Sequence, residues 1–417
     1  MVKNLRQWSW LAAIGLAILT LVVAVACGDD GGNKAAGTAA PTAAGTTGAV
    51  AQIDPKVLER AYGRADIKVD PIVLEAFARA SSPLSQADKD LALKCWKDNS
   101  CDTGRGKLTI AYADGFGENV WRQVTKMEFI LQSLSYPDIK KIIYTTAHAN
   151  TQEAIANVQS LITQKVDIII MFADAGEAML PVTRQAQKAG IIVVVSTSPP
   201  GGKPGEDYTS LVAEDLCELG NGTADTAIKQ TGGKGNVVEL GGTPGNLLSS
   251  TWQGCADKKF GQAGMKVLGK ADTNWTQEGA FQAMSAFLAK EPKIDVIGYE
   301  YADGFRGAIR AYEAAKRPLD FTLVVRTDEQ GLFRDWIRLK KDNPNFKIFI
   351  GNAGNHASRV AVTTAMKKQE GKAVPAAVVL PMNFREVQES MYNPDLPDEI
   401  SISTLVPLEV LKAMFKK

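Results

Sequence analysis

From Lys107 onward the chain alternates short apolar runs with stretches of helical spacing. "KLTIAYA" reads as a strand, and Val120, Val124, Met127, Leu131 and Leu134 then recur at intervals that predict a helix. "KIIYTTA" is the next strand, and Ile155, Val158, Leu161 and Ile162 mark one face of the following helix. "VDIIIMFA" is apolar at nearly every position, which predicts a strand in a sheet covered on both faces. A helix over about 177–188 leads into "IIVVVST". Such alternation folds as a parallel sheet with right-handed crossovers. "PPGGKPGEDY" interrupts the series and predicts a hinge. A second series follows, with strands "YTSLV", "NVVEL", "MKVLG", "DVIGYE", "TLVVRT" and "FKIFIG". Its helices fall at roughly 214–229, 247–262, 277–290, 304–316, 329–340 and 355–370. The fold class is therefore α/β, two Rossmann-like lobes with parallel sheets joined by a hinge.

Upstream of this body the pattern differs. "DPKVLERAY" and "DPIVLEAFARA" both open with Asp-Pro, a residue that caps free helix N–H groups followed by one suited to the first helical position. Asp54 and Asp70 are thus predicted N-caps, and "SQADKDLALKCWKD" reads as a third helix of a small helical extension over 53–106. Still earlier, after Lys3 and Arg6, residues Trp8 to Ala26 carry no charge, as a secretory leader or a membrane span requires. Ala24, Val25 and Ala26 before Cys27 resemble a bacterial lipobox, with Ala24 where Leu is usual. That resemblance implies a lipoprotein signal peptide over 1–26 and a lipid on Cys27; an uncleaved anchor is the alternative. Residues 27–52, rich in Gly, Ala and Thr, cannot bury a core and read as a flexible tether, its ends roughly 25–30 Å apart.

Composition narrows the picture. Of 417 residues, 45% are hydrophobic and 22% charged, as in globular proteins, and a net charge of +1 offers no electrostatic case for nucleic acid. With Cys27 lipidated, an even number of cysteines remains in an oxidising compartment, so disulfides Cys95–Cys101 and Cys217–Cys255 are expected. A zinc site would need a CxxC pair or clustered histidines, and His148 and His356 lie far from the cysteines in sequence. "GMKVLGKA" approaches a phosphate loop, but Ala271 replaces the hydroxyl and the segment runs from helix end into strand. No cofactor or metal is expected.

Ligands of open parallel sheets bind beyond the carboxyl ends of strands, and two facing sheets enclose a cleft. The predicted strand ends carry Asp114, Asn119, Trp121, Asp174, Thr197, Asn274, Trp275, Glu300, Tyr301, Asp328 and Asn352. Aromatic rings mixed with amides, hydroxyls and a few carboxylates suit a small neutral ligand with many hydroxyls, whose C–H faces stack on Trp. Asp174 is expected to cap the helix that follows it.

"ENVWR", "NVVELGGTPG", "ADTNWTQEGAFQAMSAFLAKEPKIDVI", "PKIDVIGYEYADGFRGAIRAYEAA" and "EGKAVPAAVV" together resemble the type I periplasmic sugar-binding proteins of the ribose/galactose group, the solute receptors of ABC importers. The resemblance runs from about 107 to the end. It implies an N-terminal lobe over 107–205, a C-terminal lobe over 206–351, and a return to the first lobe with C-terminal strands over 352–417. It places Trp121, Trp275, Asp328 and Asn352 in register with the family's ligand contacts. Thr197 and Ser198 stand where the family has Asp-Arg, Tyr301 where it has Asn, and Leu248 to Ser250 where it has a second Arg. The expected ligand-binding residues are Asn119, Trp121, Thr197, Trp275, Tyr301, Asp328 and Asn352. The implied function is a monomeric, lipid-anchored receptor that hands a small sugar to an ABC permease. The alternatives are a sensor signalling to a membrane receptor, and a sugar hydrolase, which would need carboxylates about 5–9.5 Å apart across the bond.

Overall fold

The computed structural model describes residues 53–117 and 119–415. The leader, the tether and Cys27 lie outside the described residues. Among the described residues no helix is long and apolar enough to cross a membrane.

The extension comprises α1 (Pro55–Tyr62), α2 (Pro71–Ala80) and α3 (Gln86–Asp98), followed by the short strand β1 (Ser100–Asp102). Asp54 and Asp70 are N-caps, accepting from the backbone N–H of Lys56 and Ile72 at 2.9 Å each. The first alternating series gives β2 (Leu108–Asp114), α4 (Val120–Leu134), β3 (Ile139–Thr146), α5 (Thr151–Thr163), β4 (Ile168–Phe172), α6 (Leu180–Lys188) and β5 (Ile192–Ser196). Then come β6 (Ser210–Glu214), α7 (Leu216–Thr231), β7 (Asn236–Gly241), α8 (Leu247–Ala263), β8 (Lys266–Asp272) and α9 (Gln277–Lys290). They are followed by β9 (Val296–Tyr299), α10 (Ala302–Ala314), β10 (Thr322–Val325), α11 (Gln330–Leu339) and β11 (Lys347–Ile350). The chain closes with α12 (Ala357–Gln369), β12 (Ala377–Leu380), β13 (Arg385–Glu386) and α13 (Leu408–Met414).

Two sheets form, in the orders β1-β3-β2-β4-β5-β6-β12 and β13-β11-β10-β9-β7-β8. Only the added edge strands β1 and β13 run antiparallel. Both faces of the first sheet are buried because its strands alternate between two cores. Ile168, Ile170 and Phe172 of β4 join the core under α4 and α12, while Ile169 and Met171 join Val158, Leu161 and Val182 under α5 and α6. Cys95–Cys101 ties α3 to β1, and Cys217–Cys255 ties α7 to α8, as expected.

The sequence reading placed "YTSLV" in the second lobe, and the structure corrects this. β6 lies between β5 and β12 in the first sheet, in parallel register with both. A parallel pair needs a crossover of a dozen or more residues. "PPGGKPGEDY" belongs to that crossover, over 197–209, and is not the hinge. The chain instead passes to the second sheet after Glu214, returns after β11, and leaves again after β12. The C-terminal region is also split: β12 is in the first sheet, whereas β13 pairs with β11 in the second.

The extension is bound to the first lobe. Tyr62 and Phe77 are fully buried and meet the His356 ring edge-on at 4.9 and 5.3 Å, just before α12. Gln132 of α4 donates to the Ala76 carbonyl.

Candidate functional site

Strand ends of both sheets converge on one small cavity. Asn119, Trp121, Arg122 and Phe172 wall it from the first lobe. Leu248, Trp275, Glu300, Tyr301, Arg326 and Thr327 wall it from the second.

On the first-lobe side, Asn119 caps α4 by accepting from the Arg122 N–H at 3.0 Å, which sets Trp121 and Arg122 in the opening turn. The Arg122 guanidinium donates to Asp114 at 3.0 Å and Asp174 at 2.7 Å and lies 3.4 Å over the Phe172 ring. Burial lowers its pKa, but Asp174 and Asp114 more than offset that, and the net shift is upward. Burial raises the pKa of Asp174 even against the pull of Arg122. Asp174 therefore serves Arg122; the short helical turn after it starts from Ala175 without a side-chain cap. The Trp121 indole donates to the Ala353 carbonyl at 2.6 Å, which fixes the ring at the cavity wall.

On the second-lobe side, Asn274 and Trp275 hold φ of 52° and 48°, a left-handed pair just before α9. Strain of this kind persists only where surrounding contacts enforce it. Here Glu300 accepts from the Trp275 indole at 2.6 Å and from the Trp252 indole at 2.7 Å. Gly242 leaves the space for the ring, since a Cβ there would fall 2.0 Å from it. Burial raises the Glu300 pKa despite these donors. Arg326, at the end of β10, donates to Glu214 at 2.7 Å across the first crossing point between the lobes. Thr327 accepts from the Ala302 N–H and donates to Glu329. The lobes touch above the cavity, where Phe116 meets Trp275 edge-on at 5.9 Å and Asn246 lies within 3.5 Å of both Ser198 and Asp174.

Of the residues expected from sequence, Asn119, Trp121, Trp275 and Tyr301 are brought together at the cavity. Thr197, Asp328 and Asn352 do not line it. Thr197 is buried at φ 69° with its N–H donating to Val212. Asn352 donates to the Pro381 carbonyl in the hinge. Asp328 lies behind the cavity, accepting from Ser403 at 3.0 Å, and burial pushes its pKa up to about 6. Asn352 follows β11, where the chain crosses between lobes, and Asp328 is turned to the C-terminal segment, whereas Thr197 lies in the β5–β6 crossover with its buried hydroxyl unpartnered among the described residues. The sequence reading found two arginines missing, yet Arg122 and Arg326 wall the cavity from other positions. Both stand inside quoted stretches, "ENVWR" and "TLVVRT", so strand-end position was a usable signal. Each guanidinium is paired with carboxylates, while the indole N–H groups are already engaged. What remains on offer is aromatic faces, shared polar atoms and the buried Nε of Arg326, which has no hydrogen-bond partner among the described residues, an arrangement that can stack on C–H surfaces and exchange hydrogen bonds with hydroxyls.

The profile of the periplasmic binding protein domain family matches residues 113–373. A xylitol-binding protein of Mycolicibacterium smegmatis is 25% identical over 247 residues, 58% of this chain and 68% of that protein. The fructose-binding periplasmic domain of a hybrid two-component system superposes with a TM-score of 0.60 at 22% identity, over 67% of this chain and 91% of that one. An ABC transporter solute-binding protein from Actinobacillus succinogenes with bound D-allose gives 0.56 at 22% identity, over 68% and 99%.

Proposed function

The chain belongs to the periplasmic binding protein domain family, and from that premise we propose that it captures a small sugar or polyol between its lobes and delivers it to an ABC permease. It is an extracytoplasmic binding protein, not an enzyme. The observation that carries the proposal is the interlobe cavity with Trp121 on one side and Trp275 on the other, polar groups lying between them. A ligand touching both walls favours the closed arrangement by its differential contacts.

Thermal unfolding against pentoses, hexoses, polyols and amino acids tests this. A true ligand at about 100 times its Kd adds about 2.7 kcal/mol. Stabilisation by one sugar or polyol class is the expected result, and stabilisation by amino acids alone would overturn the sugar reading.

A sensor is the second reading, favoured by the structural likeness to the periplasmic domain of a two-component system. Loss of labelled-sugar uptake on gene deletion supports the importer; intact uptake with lost transcriptional induction supports the sensor. A lipid on Cys27 completes the proposal. Cys27→Ser is expected to free the protein from membranes, and retention would point to the uncleaved anchor.

A further inference from the structure

The C-terminal segment lies beyond residue 373, where the match to the family's profile ends. It runs from the second lobe to the first. Asp398 and Ile400 accept from the backbone N–H groups of Gly331 and Gln330, and Ser401 bridges to Glu329. A few residues on, Thr404 and the Leu405 N–H both donate to Glu128 of α4 at 2.6 Å. The Val406 carbonyl accepts from Arg60 of the extension, and Lys89 pairs with Glu409 at 2.6 Å.

Between these anchors sits Ser403, fully buried. Its hydroxyl donates to Asp328 at 3.0 Å and accepts from the Ala353 N–H at 2.9 Å. The carbonyl of that same Ala353 accepts from the Trp121 indole at 2.6 Å. A continuous set of bonds therefore joins a second-lobe carboxylate, the C-terminal strap, the hinge peptide and an aromatic wall of the cavity.

We propose that Ser403 is a positioning residue of the cleft. Clasped by Asp328, it holds the hinge peptide at Ala353 and, through it, the Trp121 indole. This rests on the binding reading only for its functional consequence. The clasp assigns Asp328 a part in the cleft that needs no contact with ligand.

Hydrogen exchange by mass spectrometry on the full chain without ligand tests the clasp directly, and titration with xylitol, D-fructose and D-allose tests its consequence. In Ser403→Ala, exchange over 351–356 is expected to rise on the order of tenfold while β4 and β10 keep their protection. Affinity for whichever probe binds the wild-type protein is expected to fall by about tenfold, since removing one link loosens coupled neighbours. Ser403→Thr, which keeps the hydroxyl, restores both. If Ser403→Ala does not fold, Ser403→Cys, which weakens the same two bonds with little change in volume, is read in the same way.

Unchanged exchange over 351–356 overturns the proposal. So does a rise that spreads equally through β4 and β10, which marks general loosening. Released hinge amides with undiminished affinity overturn the link to Trp121. Hinge-confined exchange upholds the clasp even where the wild-type protein binds none of these three probes, an outcome that counts against the binding reading alone.

Discussion

The side chains at the cavity are held in place by their neighbours, and the cost of disturbing them can be anticipated. Trp275 is locked by Glu300 and seated on Gly242. Alanine at Gly242 would place a methyl group 2.0 Å from the indole, so the ring must leave its seat. Gly242→Ala is expected to weaken binding about tenfold or more, since a small misplacement of a positioning group is costly. Calorimetric titration with the sugar that stabilises the wild-type protein checks this, and unchanged affinity would remove Trp275 from the cavity wall. "GGTPG" reads in sequence as turn geometry; the close approach of a ring from another segment is invisible there.

The extension, α1 to α3, was legible as three helices through its Asp-Pro starts and its apolar spacing. Its docking was not, because the partners that receive it range from Gln132, 56 positions beyond Ala76, to Val406, 346 beyond Arg60. His356 is the centre of that interface. Neither ring nitrogen has a hydrogen-bond partner among the described residues, and burial lowers its pKa from 6.5 to about 4. The folded state therefore resists protonation while the unfolded chain accepts it. The stability involved is complete above 6.5 and is lost as pH falls toward 4. Buried Glu329 acts in the opposite sense. Burial raises its pKa from 4.5 to about 8, so its contribution is complete below 4.5 and is lost as pH rises toward 8. Urea unfolding at about pH 7 and pH 4.5 is expected to show a smaller acid loss in His356→Phe than in the wild-type protein. Equal losses would mean the buried imidazole already carries its proton.

For the whole molecule, periodicity alone determined a great deal: two parallel sheets, the order of strands and helices, and the strand ends where a ligand site must lie. These follow from local rules, since apolar runs and helical spacing report burial without reference to distant residues. The two disulfides were legible for the same reason, through count and compartment. Trp121 and Trp275 were legible because strand-end position is a local property.

The lobe boundary, the hinge and the fate of Asp328 were decided only in three dimensions. β6 joins the first sheet because pairing partners, not the Gly/Pro content of a loop, decide which sheet takes a strand. Asp328 is turned to Ser403 because a strap from the far end of the chain reaches the hinge before any ligand can. Arg122 and Arg326 both reach the cavity wall because several strand ends converge there, and convergence is a property of sheet packing. The sequence by itself determined which elements form and which faces they bury. The tertiary structure alone decided which strand-end groups meet, since contacts between segments far apart in the chain leave no mark on the spacing of either.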